Sequence, residues 1–382
     1  MSSTIGSIGN GLWAWPFVCS SCRRPYPETG LPYRCPRCGG IYDLRDPIRY
    51  APHPGEGVAR AGLSRYRTAL PLPPDADLVT LGEGGTPLLA VDVAGRTVHF
   101  KCEQLNPTGS FKDRGAMVLV SALRAAGVEA AVEDSSGNAG AALAAYAARA
   151  GMRVRIFVPS YASGPKRMQI QAYGAEVVSV PGARTAASEA VQAAAKQGAV
   201  YASHAHLPHM LAGVATMAFE IVEQLGRLPG AIVAPVGQGS IMLGLHIGFE
   251  ALRLAGVIEG SPQLLGVQAR ACAPLWAVHA GGAAALGLVQ EGETVAEGIR
   301  TLRPLRGDAV LAAVESSGGG FVAVEEEQIL LGRDELAHRG LFVEPTSAVV
   351  WPGLLAWVDR LQDPVVAILT GSGLKSPGSP TP

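Results

Sequence analysis

The stretch NPTGSFKDRG (residues 106–115) decides how the rest of the chain is read. Asn106, Pro107 and Gly109 are turn residues. Ser110, with Asp113 three positions later, has the form of a capping box in which aspartate stands for the usual glutamate or glutamine. The following FKDRGAMVLVSALRAAG continues as a helix that should stop near Gly127. Lys112 thereby falls in the first turn of a helix, where the partial positive charge of the N-terminus opposes a second cation. Arg114, two residues on, opposes it further. A lysine under that pressure shifts toward the neutral amine, the form that attacks an aldehyde. The ordinary alternative is a solvated lysine on an exposed helix face, and the surrounding chain has to decide between the two.

Outward from this stretch, short apolar runs at 154–158, 175–180, 231–236, 264–268 and 365–369 read as buried strands. Amphipathic or alanine-rich helices, such as 139–150 and 210–225, lie between them. The alternation predicts an α/β fold with mainly parallel sheets, and no internal repeat is visible. Ligands in such sheets bind beyond the carboxyl ends of the strands. That rule selects three loops. DSSGNAG (134–140) opens an alanine-rich helix and offers backbone N–H groups, hydroxyls and the Asn138 amide. PVGQGS (235–240) joins a strand to a helix as phosphate cradles do, although a tight turn alone would also explain it. TGSGLK (370–375) places a hydroxyl at a strand end. An imine-forming lysine, a phosphate nest and a partner for a pyridine nitrogen are the set that pyridoxal phosphate requires.

The chain has 382 residues, 48% hydrophobic and 16% charged, with a net charge of −1. This is enough for a large core and gives no sign of a nucleic-acid surface. Apolar runs are too short for a membrane span, and no secretory signal is evident, so the expected location is the cytoplasm. Four of the six cysteines form CSSC (Cys19, Cys22) and CPRC (Cys35, Cys38). Two such pairs across a short loop predict a four-thiolate zinc ribbon, structural because the cysteines fill the coordination sphere. Gly39 and Gly40 suit the tight turn of a metal knuckle. Disulfides fit poorly with a chain lacking secretion signals. Cys102 and Cys272 lack such partners and read as small buried residues. The expected organisation is a ribbon at 1–45, a proline-rich linker at 46–77, a catalytic region at 78–375 and a disordered tail at 376–382.

In order along the chain, GEGGTPLL (82–89), NPTGSFKDRG, SSGNAG, GQGS, TVAEGIR (294–300), EPTSA (344–348) and TGSGLK resemble the threonine synthase family of fold-type II pyridoxal-phosphate enzymes. The resemblance covers nearly everything after the linker, and some threonine-synthase-like proteins also carry an N-terminal double CxxC. It implies a tryptophan synthase β-like fold: two parallel-sheet α/β domains with the cofactor between them. The large domain would hold 78–111 and 206–375, and a small mobile domain 112–205. It also implies a homodimer acting on a small amino-acid substrate. Lys112 would hold the cofactor and shuttle protons at Cα and Cβ, with Phe111 packed near the ring. Asn138 would bond the phenolic oxygen. Gly237, Gln238, Gly239 and Ser240 would bind the cofactor phosphate. Thr370 would face the pyridine nitrogen, which suits elimination or replacement better than transamination. Ser135 and Ser136 would meet the substrate carboxylate.

The departures bear on the substrate. Ala139 stands where threonine is common, and Gln238 where asparagine is usual. In SHAHLPHMLAGVAT (203–216), Met210 stands at the family's arginine, and Val214 and Ala215 replace a Gln-Lys pair. A bidentate arginine there would supply charge-assisted bonds to a substrate phosphate. His204, His206, His209, Lys166 and Arg167 are the candidate replacements, the histidines more so below neutral pH, although at least one of the histidines reads as an ordinary loop residue. Three activities therefore stay open. One is threonine synthesis from O-phosphohomoserine by γ-elimination of phosphate and addition of water. Another is a threonine or serine ammonia-lyase, or a β-replacement synthase. The third is a catalytically silent, regulatory pyridoxal-phosphate binder.

Overall fold

The structure is a computed structural model describing residues 13–51, 62–160, 164–182 and 184–376. Of the tail expected at 376–382, residues 377–382 lie outside the described residues. An N-terminal ribbon pairs β1 (Phe17–Cys19) with β2 (Tyr42–Leu44) antiparallel. β3 (Leu88–Val93) and β4 (Arg96–Cys102) form a hairpin whose turn residues, Ala94 and Gly95, both have positive φ. The chain then alternates through α1 (Lys112–Ala125), β5 (Ala130–Glu133), α2 (Asn138–Arg149), β6 (Arg153–Pro159), α3 (Pro165–Ala172), β7 (Glu176–Val180), α4 (Arg184–Lys196) and β8 (Val200–Tyr201). It continues through α5 (His209–Leu225), β9 (Ala231–Pro235), α6 (Ser240–Leu254), β10 (Gln263–Ala269), β11 (Gly320–Val324) and β12 (Val365–Leu369). Among the described residues, no helix is long and apolar enough to cross a membrane.

Two sheets result. One is a parallel sheet in the order β7-β6-β5-β8. The other runs β11-β10-β9-β12-β4-β3 and is parallel except for the β3–β4 edge. The strands expected from apolar runs form within a residue or two of the predicted bounds. Strands β3, β4 and β5 escape that reading because Asp92, Arg96, Lys101 and Glu133 interrupt their apolar pattern.

Helix α5 is buried along most of its length and packs against both α1 and α6. Glycines permit this approach: a Cβ at Gly213 would sit 2.0 Å from the Arg114 carbonyl oxygen, and one at Gly248 2.3 Å from that of Ala215. Beneath the start of α1 lies a buried ionic cluster. Arg114 pairs with Glu103 and Glu220 at 2.7 Å, and Lys101 pairs with Glu220 at 2.7 Å. Removing one member would strand an uncompensated buried charge, at a cost of about 3–5 kcal/mol.

The capping box expected at Ser110 does not form. Phe111 is the N-cap, without a side-chain cap bond. The Asp113 carboxylate instead turns back to accept from the Thr108 backbone N–H at 2.6 Å and from its hydroxyl. The loop is thus closed from within, because Thr108 is the nearer donor. Residues 62–69, inside the stretch expected as a linker, form a 3-10 turn with Leu63 and Tyr66 buried; the Tyr66 hydroxyl donates to Glu223 at 2.9 Å.

The ribbon is packed into the body of the protein. Its Trp15, Phe17, Tyr26 and Tyr42 share one apolar core with Met117 of α1 and Tyr146 of α2. Arg306 ties it down on a second side. Its guanidinium donates to the Asp43 carboxylate and the Tyr42 carbonyl, both at 2.7 Å, and to the His206 carbonyl at 3.0 Å.

Candidate active site

A cleft of about 400 Å³ opens where the strand ends of the two sheets meet. From the four-stranded sheet come the loop after β5 (Asp134 to Asn138) and Pro159 of β6; from the other come the loop after β9 and Thr370 after β12. All these strands are parallel within their sheets, so their carboxyl ends converge. The structure brings Lys112, Phe111, Ser135, Ser136, Asn138, Lys166, His204, Gly237, Gln238, Gly239, Ser240 and Thr370 into this one cleft.

Lys112 Nζ lies 4.8 Å from the centre of the Phe111 ring. Burial is the first cause that lowers its pKa to about 8, and the Arg184 guanidinium lowers it further. The neutral tendency read from the sequence is present, but its assigned cause is corrected. Arg114 points into the ionic cluster, where two carboxylates neutralise it.

The loop after β9 is shaped by close packing. A Cβ at Gly237 would lie 2.9 Å from Ile299 Cα, and one at Gly239, where φ is +83°, would lie 2.2 Å from Val310 Cγ2. Only glycine fits at either place, and the backbone N–H groups that follow open α6 toward the cleft. Gln238 is held by the Leu305 N–H, which donates to its Oε1 at 3.1 Å. Across the cleft, Asn138 Oδ1 and Thr370 Oγ1 are buried without a hydrogen-bond partner among the described residues. Buried polar atoms are seldom left so, and these two face a cavity that also holds the lysine and an anion cradle. The set fits pyridoxal phosphate.

Charged residues not singled out from the sequence also line the cleft, among them Glu344 and Arg184. Glu344, buried at the start of the EPTSA element, accepts from Asn138 Nδ2 and pairs with Lys166 Nζ, each at 2.7 Å. Lys166 therefore lines the cleft with its charge already matched. Arg184 opens α4, lines the cleft, and makes no hydrogen bond or ion pair among the described residues. No motif surrounds it, so only the packing of α4 against the sheet brings it here.

The histidines are corrected. His206 is stacked edge-on against Tyr33, and burial lowers its pKa to about 4. His209 lies among Trp15, Phe17 and Tyr26 with its pKa lowered by burial to about 3. Neither lines the cleft or carries charge near neutrality. His204 does line it, yet burial keeps its imidazole neutral. Met210 packs on Gly115, away from the cleft, so its position carries no phosphate-binding group.

In the ribbon, the four cysteine sulfurs lie within 4.8 Å of one another. The Cys19–Cys38 and Cys22–Cys35 sulfurs are 3.5 and 3.7 Å apart, too far for disulfides. Tetrahedral zinc with bonds of about 2.3 Å would set sulfurs ~3.8 Å apart. Burial raises the Cys35 pKa, but N–H groups of Cys38 and Arg37 outweigh it and bring the thiol down to about 6. Cys102 and Cys272 are buried singly.

Fold and cleft together define a pyridoxal-phosphate-dependent enzyme of fold type II, and the family described as "Pyridoxal-phosphate dependent enzyme" matches residues 79–371. Two solved structures share the architecture. One is a T.th. threonine deaminase, with a TM-score of 0.64 and 28% identity, covering 78% of this chain and 94% of that one. The other is a serine racemase from Dictyostelium discoideum, with a TM-score of 0.64 and 25% identity, covering 75% and 92%. Within this class the chain belongs to the threonine synthase family. It is 34% identical over 372 residues to a threonine synthase of Methanosarcina acetivorans, covering 94% of this chain and 92% of the relative. It is 37% identical over 332 residues to one from Mycobacterium tuberculosis, covering 82% and 88%.

Proposed function

We propose that the enzyme forms L-threonine from O-phosphohomoserine, releasing phosphate and adding water. The observation that carries this reading is Arg184. It is a cleft cation with no partner among the described residues, close enough to lower the pKa values of both Lys112 and His204. It supplies the charge for a substrate phosphate that Met210 cannot.

Pyridoxal phosphate bound in the cleft supplies the electron sink that makes protons at Cα and Cβ removable. The protein's own groups would do the rest. Lys112, near neutrality by burial, holds the cofactor and moves protons at the substrate carbons. The N–H groups from Gly237 to Ser240 take the cofactor phosphate. The Asn138 amide holds the phenolic oxygen, and the Thr370 hydroxyl meets the ring nitrogen without forcing it to stay protonated. Ser135, Ser136 and the N–H groups beside them receive the substrate carboxylate. We also infer that Cys19, Cys22, Cys35 and Cys38 hold one structural zinc ion.

The test is a substrate panel with phosphate, threonine, ammonia and 2-oxo acid all quantified. Phosphate and threonine in equal amounts from phosphohomoserine support the reading. Arg184→Ala should then raise KM ten- to a hundredfold, the equivalent of about 1.5–3 kcal/mol for a charged hydrogen bond. Oxo acid and ammonia from threonine, with phosphohomoserine inert, would assign the ammonia-lyase reaction instead.

A further inference from the structure

The cleft contains a second acid–base pair that the reading above leaves idle. Glu133 ends β5, and His204 follows β8, the neighbouring strand of the same sheet. The paired strands bring the two side chains together, with His204 Nδ1 2.6 Å from Glu133 Oε1. Glu133 is almost wholly buried, while the His204 side chain keeps 14% of its surface open and lines the cleft with Lys112. Its Nε2 has no hydrogen-bond partner among the described residues. A carboxyl on Nδ1 and an open Nε2 is the arrangement by which an imidazole is held in one orientation for proton transfer.

We propose that Glu133 and His204 form a proton relay that serves both halves of the reaction. The proposal rests on the phosphohomoserine reading. In the first half, His204 Nε2–H gives its proton to the departing phosphate, which leaves as hydrogenphosphate. The proton on Glu133 crosses to Nδ1 as Nε2 is emptied. In the second half, a cleft water adds its oxygen to Cβ and its released proton goes to Nε2, while the Nδ1 proton returns to Glu133. The net transfer is one proton from water to phosphate. Lys112 keeps the carbon-bound protons.

The surroundings favour this state. Burial opposes charge on the imidazole and pushes the Glu133 carboxyl well above the usual carboxylate range, so the pair rests as acid and neutral base. The charged and titratable neighbours are Lys112 from α1, Arg184 from α4, Asp134 beside Glu133, Tyr201 from β8, and His206 on the same loop as His204. The two cations further oppose an imidazolium.

The experiment measures phosphate, threonine and 2-oxo acid separately in wild type, His204→Ala, His204→Gln and Glu133→Gln holoenzymes. His204→Ala should keep the cofactor absorbance and lose ~10²-fold or more in turnover. What still reacts should partition toward 2-oxo acid and ammonia, because water addition is the slower half without its base. Added imidazole should restore turnover and the threonine share. Glu133→Gln, whose amide N–H holds His204 in the Nε2–H form, should lose threonine more than phosphate release. His204→Ala turnover within ~3-fold of wild type, or a loss that imidazole does not restore in His204→Ala and that Glu133→Gln does not share, would overturn the relay. If His204→Ala does not fold, the same criteria apply to Glu133→Gln and His204→Gln. If wild type leaves phosphohomoserine untouched, the substrate reading fails and the relay, which acts on its phosphate and its water addition, fails with it; phosphate and threonine formed by wild type at a rate that His204→Ala matches would overturn the relay alone.

Discussion

The ribbon and the cleft are built in opposite ways. The ribbon's four sulfurs come from residues 19–38, and the spacing within each CxxC already brings two of them together. The cleft draws on α1, on loops of both sheets, and on Glu344 near the far end of the chain. A site made by one short segment reports its chemistry through spacing. A site made by converging strand ends reports only its glycine-rich and lysine-bearing loops, and conceals the side chains that meet across it. The two regions also touch. Arg306 grips Tyr42 and Asp43 of the ribbon and the carbonyl of His206, two residues from His204, while the neighbouring Leu305 N–H holds Gln238 of the loop after β9.

The largest expected effect confines damage to the cleft. Lys112→Ala should abolish the cofactor's imine absorbance and lower turnover by at least ~10³-fold, while metal content and melting of the ribbon stay unchanged. Borohydride reduction of wild-type holoenzyme should label Lys112; a label on another lysine would refute its role.

Next comes the ground beneath the cleft. Arg114→Met leaves Glu103 without its ion-pair partner and Glu220 with Lys101 alone, and should destabilise the fold by about 3–5 kcal/mol in denaturant unfolding. A loss under ~1 kcal/mol would mean that the cluster is not the support described.

The ribbon should fail locally. Wild type should bind about one zinc per chain, as a four-thiolate site requires. Cys35→Ser should lose that metal and some stability, yet keep cofactor absorbance in whatever protein stays folded. Arg306→Ala tests whether the regions are independent. Removing its bonds to three carbonyls and a carboxylate should cost about 1.5–3 kcal/mol. It should also lower turnover through the 203–206 loop, with zinc content intact. Unchanged turnover would show that the ribbon and the cleft work apart.

The smallest effect is one of pH. Because burial depresses the Lys112 pKa to about 8, the amine becomes neutral well below the ~10.4 of a free lysine. Apoprotein should therefore combine with pyridoxal phosphate at a rate that rises with pH, half-maximal near about 8 and level above it. A midpoint near ~10 would show that the lysine is solvated.

By itself, the sequence determined the parallel α/β fold, the double-CxxC spacing, the cleft lysine, and the glycine turns of the loop after β9. Each is written in contiguous residues whose backbone preferences or ligand spacing act within a turn or two of chain. It misjudged Ser110 and Arg114 and left His206 and His209 open, because a side chain's partner and charge state depend on what buries it. Only the tertiary structure decided that Lys166 is neutralised by Glu344, that Arg184 opens into the cleft, that His204 leans on Glu133, and that Arg306 joins ribbon to site. These partners lie far apart in the chain. They meet only when strands pair and the sheets pack, and desolvation then fixes which of them carries charge.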